Sequence, residues 1–220
     1  ISTSAEAVEV LDRFSIVVSP TVSRIMKSDE SETPAPNDRS LQFSQHAVVA
    51  GPGKALEAAS DHAKNLGFNV INLGDQVEGL AVEIAKSHAH LIRTKKLFEH
   101  NQRTLLLSGG EATVKVAGEG SGGPNQEYLL ALAIELNGLE NLFGIACDTD
   151  GIDGATTAAG AVITPSTLSR AAEHGISPKN CLENNDAGSF FSLLDDLVTT
   201  GPTYTNVNDF RAIAYIPNSD

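Results

Sequence analysis

Blocks of apolar residues, separated by polar and glycine-rich turns, run through most of the chain. Long blocks with apolar residues three and four positions apart predict helices, and short uninterrupted apolar runs predict buried strands. From residue 46 onward the two kinds alternate, which predicts a layered α/β/α domain with a mixed or mostly parallel sheet. The predicted helices are 54–66, 77–97, 124–136, 166–174, 178–183 and 187–195, and the predicted strands are 46–50, 68–73, 104–107, 112–116, 142–147, 160–163 and 211–216.

The start of the chain has a different pattern. Two short helices are predicted at 3–13 and 19–26, and the first opens with a capping-box sequence. Residues 27–40 are polar, contain two prolines and show no period, which is typical of a linker. We therefore predict connecting helices and a linker at 1–44, followed by an α/β domain at 45–220.

Charge and length narrow the choice of partners. The 220 residues carry a formal net charge of −13, which argues against nucleic acid or an anionic membrane as a partner. No apolar run approaches the length of a membrane span. Cys147 and Cys181 lack metal-ligand spacing and give no sign of an oxidising compartment, so we expect a cytoplasmic protein. Because the chain begins at Ile1 without a signal-peptide layout, we also expect it to be a piece of a longer protein.

Three glycine-rich polar loops lie close together at 108–111, 118–127 and 148–154. Glycine lets backbone amides approach a ligand closely, so this clustering indicates a site for an anion. The loop 118–127 runs into a helix, and a helix N-terminus attracts anions. A flexible connection is the alternative, but three polar residues on the first helical turn favour ligand contact.

Asp148, Asp150 and Asp153 follow a predicted buried strand. Carboxylates at this spacing are able to hold Mg²⁺ when substrate phosphates complete its coordination shell. The pattern of a Ca²⁺-binding loop is excluded, because the required later glutamate is missing. The alternative is a run of Asx turns. Their place after a strand favours a catalytic or ligand-orienting role for at least one of them.

Two further stretches carry polar side chains. Residues 199–209 are dense in hydroxyls and amides, which suit phosphate or polyol oxygens, although a loop that hydrogen-bonds itself is an almost equal alternative. The stretch 184–186 is interpreted as the N-cap region of the next helix, although Asn185 and Asp186 are positioned to face a site. His88 and His90 do not share a helical face and are poor joint metal ligands.

At these loops the sequence resembles one family. The shared motifs are Leu106-Leu-Ser-Gly-Gly-Glu-Ala-Thr-Val114, Gly122-Gly-Pro-Asn-Gln-Glu127, Asp148-Thr-Asp-Gly-Ile-Asp-Gly-Ala155, Ala159-Gly-Ala-Val162 and Thr200-Gly-Pro-Thr-Tyr-Thr-Asn-Val-Asn-Asp-Phe210. In this order, within 104–216, they are similar to the C-terminal MOFRL domain of the glycerate 2-kinase family. Many members of that family are called hydroxypyruvate reductase. Residues 1–103 resemble the connecting stretch of the same family.

The resemblance implies an activity and its cofactors. Family members transfer phosphate from ATP to D-glycerate, so ATP and Mg²⁺ are the implied cofactors. The implied site is a cleft shared with an N-terminal Rossmann-like domain, which supplies a catalytic lysine and which this chain lacks. The chain is therefore expected to be the C-terminal half of a two-domain protein, inactive alone. A homo-oligomer stays open.

The loops and the resemblance together give three groups of candidate residues. The candidate catalytic residues are Asp150, Asp153 and Glu111, and the candidate Mg²⁺ ligands are Asp148 and Asp150. The candidates for binding substrate or nucleotide are Gly109, Gly110, Gly122, Gly123, Asn125, Gln126, Glu127, Thr200, Thr203, Thr205 and Asn206.

One departure from the family keeps other functions open. Arg or Lys is usual in the family at the positions of Glu119, Ser121 and Pro124, and this chain has none of them. A non-catalytic binding module of the same fold is therefore one alternative. NAD(P)H-dependent reduction of hydroxypyruvate is another, which is disfavoured because no Gly-x-Gly-x-x-Gly opens a helix with an acidic residue about 20 positions later.

Overall fold

The protein is described by a computed structural model that covers residues 3–28, 32–35, 37–45, 47–94, 102–137 and 139–218. The chain divides into two compact units, Ile1–Val48 and Val49–Asp220. Across the described residues, no helix has the length and apolar character needed to cross a membrane.

The first unit contains the two predicted short helices. Helix α1 (Ser4–Arg13) opens with the predicted capping box, in which Glu6 N donates to Thr3 Oγ1 (3.2 Å) and Thr3 N donates to Glu6 Oε2 (2.7 Å). Helix α2 (Pro20–Met26) has its proline in the first turn. Neither helix buries a residue, so local capping explains why both could be predicted from the sequence. A 3-10 helix follows at Arg39–Leu41.

The second unit is an α/β fold around a six-stranded mixed sheet. Its strands are β1 (Asn69–Asn72), β2 (Gly79–Leu80), β3 (Thr104–Gly110), β4 (Ala112–Thr113), β5 (Leu142–Asp148), β6 (Gly160–Ile163), β7 (Leu197–Val198) and β8 (Asp209–Tyr215). Its helices are α3 (Pro52–Asn65), α4 (Ala81–Thr94), α5 (Pro124–Glu135), α6 (Thr167–Glu173), α7 (Pro178–Glu183) and α8 (Ala187–Leu193). The strand order is β1-β3-β8-β5-β6-β7, while β2 and β4 form a separate parallel pair.

This topology confirms the α/β class and decides between the two predicted kinds of sheet. Among the described strands of the large sheet, β1 pairs with β3 in parallel and every other pairing is antiparallel. The last strand, β8, lies between β3 and β5, so Asp209 pairs with Gly110 on one side and with Asp148 on the other. The ends of β3 and β5 and the start of β8 therefore meet at one edge of the sheet.

Helix α5 forms the centre of the core on one face of the sheet. Its residues from Asn125 to Ala133 are all buried, which explains why the helix is apolar on every side. Helix α3 lies on the opposite face, where Leu56 packs beside Gly109 of β3. The three-layer arrangement is thus present at the β1–β3 side of the sheet. Farther along the same face, Phe143 of β5 stays 39% exposed.

Two of the predicted strands, 46–50 and 112–116, differ from the structure. Residues 47–50 form no strand, and Val48 and Val49 are 80% and 85% exposed; His46 lies outside the described residues. The strand predicted at 112–116 is shortened to β4 (Ala112–Thr113), and it does not pair with β3, because β3 and β4 belong to different sheets. Gly110 has a φ of 126°, which turns the chain out of the large sheet and lets β4 pair with β2 instead.

The helix predicted to begin at residue 77 begins at Ala81. Gly79 and Leu80 pair with β4, and Val77 N donates to Gly109 O (3.0 Å), so tertiary hydrogen bonds hold these residues extended. The predicted end at 95–97 lies outside the described residues.

Candidate functional site

The glycine loop, residues 118–123, is bound along its length by the asparagine turn, residues 184–186. Asn185 Oδ1 accepts from Gly118 N (2.9 Å), and Asn184 O accepts from Gly120 N (2.9 Å). Glu119 N donates to Asn184 Oδ1 (3.2 Å), and Ser121 N donates to Asp186 Oδ1 (3.0 Å). These loop amides are therefore engaged within the chain. The turn does form the predicted N-cap region of α8, with Asp186 as the N-cap residue. The Asp186 side chain makes no capping bond to the helix, however, and bonds the glycine loop instead.

Close packing accounts for several glycines of this loop. A Cβ on Gly118 would lie 2.4 Å from Asn184 O, and a Cβ on Gly120 would lie 2.4 Å from the Cβ of Asp186. A Cβ on Gly123 would lie 2.4 Å from the backbone of Asp153. Side chains at these positions would separate the loop from the elements that hold it.

Asp153 occupies the N-terminus of α5. Its Oδ1 accepts from Asn125 N (3.0 Å) and from Asn125 Nδ2 (3.2 Å), and its Oδ2 accepts from Gln126 N (2.9 Å). Asp153 is 1% exposed, and this burial raises its pKa to about 6, against the lowering effect of these hydrogen bonds. The anion that complements the helix dipole is thus a side chain of the protein itself. The catalytic role expected of Asp153 stays a prediction, and the geometry gives the residue a capping role.

A buried polar network continues from this cap. Asn125 Nδ2 donates to Asp209 Oδ1 (2.7 Å), and Asp209 Oδ2 accepts from the Arg211 guanidinium. Arg211 is 1% exposed and its Cζ lies 5.5 Å from the ring centroid of Tyr128, whose hydroxyl contacts His88 Nδ1 at 2.8 Å. Burial, followed by the charge of Arg211, lowers the pKa of His88 to about 4, so His88 is neutral.

Sequence reasoning did not find this network, although one signal was present. Asp209, Arg211 and Ile213 alternate along β8 and are all buried, so a charged pair lies on the core face of the strand. Buried charges of this kind need partners, and those partners come from distant parts of the chain.

The acidic loop, residues 148–154, contains the Asx turns that were the alternative to a metal site. Asp148 Oδ1 accepts from Asp150 N (2.9 Å), and Asp150 Oδ1 accepts from Ile152 N (2.8 Å). Burial, and to a smaller extent repulsion from Asp150 and Asp209, raises the pKa of Asp148.

The threonine-rich loop packs against this acidic loop. Thr203 N donates to Asp150 O (2.9 Å), and Thr203 Oγ1 donates to Thr149 O (2.5 Å). Asn206 Nδ2 reaches Asp150 Oδ2 at 3.5 Å. Thr200 and Thr205 are exposed, and the Thr200 hydroxyl donates to Gly201 O. The structure thus brings Thr203 and Asn206 to Asp150.

The two candidate Mg²⁺ ligands are compatible with a shared cation. Within the described ranges, no group of three or more His, Cys, Asp or Glu side chains is arranged to hold a metal. Asp148 and Asp150 each have one carboxylate oxygen bonded to a backbone amide. The other oxygen of Asp150 has only the long contact with Asn206 Nδ2, at 3.5 Å, so a cation is able to share it. One or two carboxylates with substrate phosphates completing the shell is the usual protein arrangement for Mg²⁺.

The turn at Gly109 and Gly110 is also engaged within the chain. Gly109 N donates to Gly74 O (2.9 Å), and a Cβ on Gly110 would lie 2.4 Å from Val77 O. Glu111, directly after this turn, is exposed. It does not line either of the two cavities next to the glycine loop, which are described below.

One cavity does bring predicted residues together with unengaged backbone amides. This amide cavity, of about 370 Å³, is lined by Gly122, Gly123, Glu127, Gly154, Ala155 and Asn185 among others. In the part of the chain that the structure describes, the amide nitrogens of residues 122, 123, 154 and 155 donate to no protein atom. Successive free amides in a concave wall bind anions without a fixed cation. Gly154 lies within the loop 148–154 that was predicted to contribute to an anion site, but neither Gly154 nor Ala155 was among the candidate binding residues.

Glu127 is the titratable side chain of the amide cavity. It is 6% exposed and accepts from Asn185 Nδ2 through Oε2 (2.9 Å). Burial raises the pKa of Glu127, and this hydrogen bond partly opposes the shift. No Lys or Arg is among the described residues that line the cavity, and Glu119 and Ser121, at two of the positions where the resemblance leads us to expect basic residues, are exposed.

Comparisons with known proteins agree with the resemblance seen in the loops. Residues 104–209 match the MOFRL family. The D-glycerate 2-kinase of Thermotoga maritima is 34% identical over 210 residues, which are 94% of this chain and 49% of that protein. A protein of Agrobacterium vitis named "Putative hydroxypyruvate reductase" is 39% identical over 216 residues, covering 96% of this chain and 48% of its own length. A crystal structure of glycerate kinase from Thermotoga maritima matches with a TM-score of 0.81 at 32% identity, over 97% of this chain and 50% of that one.

The chain therefore spans about half the length of the relatives it matches. The region matched by the family model contains the glycine loop, the acidic loop and Asp209. The resemblance is confirmed: the chain carries a domain of the MOFRL family at residues 104–209, within a longer region that is similar to glycerate kinases.

Proposed function

We propose that this chain is the C-terminal half of an ATP-dependent glycerate 2-kinase, which transfers phosphate to D-glycerate in a cleft with an N-terminal domain. The observation that carries the proposal is the amide cavity, where four unengaged backbone amides lie beside Glu127 in a region similar to glycerate kinases. Oriented amides stabilise the charge of phosphoryl oxygens. They therefore suit a loop that lacks the basic residues usual in the family.

Glu127 is the group suited to accept the proton of the attacked hydroxyl. Its burial raises its pKa, and Asn185 holds one of its oxygens, so the other oxygen is presented as a positioned base. In the proposed step, the 2-hydroxyl oxygen of glycerate forms a bond to the γ-phosphorus. The bond from that phosphorus to the bridging oxygen of ATP breaks, ADP leaves, and the hydroxyl proton passes to Glu127.

Asp148 and Asp150 are the proposed ligands of Mg²⁺, through the oxygens that the backbone does not engage. When bound there, Mg²⁺ would supply charge neutralisation on the transferred phosphoryl group. Asn206 and Thr203 hold Asp150 on its exposed side. Asp153 does not contact substrate in this proposal, since it is buried at the end of α5 and positions Asn125 and the loop before it.

Reduction of hydroxypyruvate is the competing function, and the name of two relatives from Agrobacterium vitis favours it. A dinucleotide normally places its pyrophosphate on a free helix N-terminus after a glycine-rich turn. Here Asp153 already occupies the N-terminus of α5, and the asparagine turn holds the amides of Gly118 and Gly120. A pyrophosphate therefore lacks its usual place at this helix.

One assay separates the candidates. The complete protein containing this chain is given D-glycerate with ATP, and separately hydroxypyruvate with NADH. The expected result is ADP release that depends on glycerate, with no NADH oxidation, and no turnover by the 220-residue chain alone. NADH oxidation without glycerate phosphorylation would replace the kinase by a reductase, and the absence of both activities would leave a binding module. Turnover by residues 1–220 alone would refute the shared cleft.

A further inference from the structure

A second cavity adjoins the amide cavity. This hydroxyl cavity, of about 620 Å³, is lined by the hydroxyl side chains of Ser121, Thr156, Thr157, Ser189 and Ser192 and by the amide of Gln126. None of the described residues that line it is ionisable, and its volume is in the range of small-molecule sites. Ala155 lines both cavities, and Ser121 lies between Gly120 and Gly122, which line the first.

The hydrogen bonds around Gln126 fix the orientation of its side-chain amide. The Thr156 hydroxyl donates its single proton to a carbonyl, either that of Asp153 at 2.9 Å or that of Ala158 at 3.3 Å. Toward Gln126 it is therefore an acceptor, and Gln126 Nε2 donates to it at 3.0 Å. The carbonyl oxygen, Oε1, is consequently the atom on the other side, close to Gly188 of the cavity wall.

None of the residues that the structure describes donates a hydrogen bond to Gln126 Oε1. The atom is buried, and the whole residue has an exposure of 0%. A buried carbonyl without a donor is costly, because it has lost its hydrogen bond to water and gained none, so native proteins seldom leave one unless a ligand or water completes it. A ligand that satisfies Oε1 must therefore provide an N–H or O–H donor. Phosphate and carboxylate groups at neutral pH accept rather than donate, and this cavity offers them no cation.

We propose that the hydroxyl cavity binds the neutral nucleoside part of a nucleotide, with an amino or hydroxyl group of the nucleoside donating to Gln126 Oε1. The five hydroxyls suit ribose and base nitrogens, and Leu193, which is 54% exposed, offers an apolar surface to a base. Because the two cavities share Ala155, the phosphates of the same nucleotide lead toward the free amides of the amide cavity. The identity of this nucleotide as the phosphate donor rests on the proposed function, whereas nucleoside binding does not.

Calorimetric titration of the 220-residue chain with adenosine tests the site, because adenosine has no phosphate to bind elsewhere. We expect saturable binding that weakens about tenfold in Gln126→Leu, the loss of one buried hydrogen bond. Leu193→Ser should weaken binding as well, while Leu66→Ser, a change at another half-exposed leucine on α3's C-terminal end, should not. Thermal unfolding of each variant shows that it is folded.

Each outcome bears on one proposal. The nucleoside site would be overturned if adenosine did not bind or if all variants bound it equally. It would also be overturned if the chain bound glycerol saturably and did not bind adenosine. Glycerate-dependent kinase activity of the complete protein without adenosine binding to this cavity would leave the proposed function standing. Adenosine binding that depends on Gln126, in a protein without kinase activity, would keep the site and refute the kinase.

Discussion

The change Gly120→Ala tests whether the glycine loop is shaped by packing on the asparagine turn. The new Cβ would lie 2.4 Å from the Cβ of Asp186 and 2.6 Å from Asn184 O, where van der Waals contact requires about 3.5 Å or more. One of the two segments must therefore move by roughly 1 Å. That movement strains the hydrogen bonds from Glu119 N, Gly120 N and Ser121 N to the turn.

The expected loss in the free energy of unfolding follows from those three hydrogen bonds. A hydrogen bond contributes about 0.5–1.5 kcal/mol to folding, so three of them give roughly 1.5–4.5 kcal/mol. For a chain of this size, 1 kcal/mol lowers Tm by about 2–4 °C, so a decrease of about 3–18 °C is expected. Urea unfolding followed by circular dichroism measures the free energy, and titration with inorganic phosphate should show weakened binding, since Gly120 and Gly122 line the amide cavity.

Gly53→Ala is the matched control. Gly53 lies in the first turn of α3, and its added Cβ would meet only the flexible carboxylate end of Asp75, at 3.1 Å. Alanine is favoured over glycine in a helix, so this variant should keep its stability or gain up to about 1 kcal/mol. If the free energy of unfolding of Gly120→Ala lies within about 0.5 kcal/mol of that of the control, the close approach of the glycine loop and the asparagine turn does not contribute to stability. That result would refute the packing explanation for Gly120.

Three further changes test the site and its surroundings. Glu127→Gln in the complete enzyme should lower kcat by about 10²–10⁴-fold, and an unchanged kcat in this variant would exclude Glu127 as the base. In the wild type, kcat should fall as pH drops through the raised pKa of Glu127, because only the carboxylate accepts a proton. Asp150→Asn should lower kcat by about 10²–10³-fold while changing stability by about 0.5 kcal/mol or less, so wild-type kinetics in this variant would leave Asp150 as a turn residue. The pKa of His88 falls from 6.5 to about 4 on burial, so its neutral form stabilises the fold fully above pH 6.5. That contribution is lost as pH falls toward 4, by roughly 1.4 kcal/mol per pH unit. Urea unfolding of wild type and His88→Gln at about pH 7.5 and about pH 5 should therefore give a stability difference that changes with pH. A difference that stays constant would contradict the lowered pKa of His88.

The buried network explains how residues far from the cavity act on it. Asp209 is held by Arg211 and by Ala112 N (2.7 Å), and it in turn holds the side chain of Asn125. Asn125 and Asp153 fix the first turn of α5, from which Glu127 projects into the amide cavity. A removed partner in such a network leaves a buried charge unpaired, which is more costly than the loss of an exposed ion pair.

Local patterns were sufficient for much of the fold. The capping box of α1, the proline in the first turn of α5 and the apolar runs of β3 and β5 depend on neighbours within a few residues, so the sequence alone predicts them. The motifs of the loops were also sufficient to recognise the family. The Asx turns at Asp148 and Asp150 were foreseen as an alternative for the same reason, because each closes over two residues.

Tertiary structure alone decided which loop amides are free and which are engaged. The amides of Gly118 and Gly120 look no different in sequence from those of Gly122 and Gly123, but only the first two are taken by a turn more than 60 residues later. In the same way, Asp153 resembles Asp150 in sequence, yet it lies buried against a helix that precedes it in the chain. The position of β8 between β3 and β5 brings these distant segments to one edge of the sheet. Sequence periodicity reports only local environment, so contacts between segments this far apart depend on how the strands are ordered.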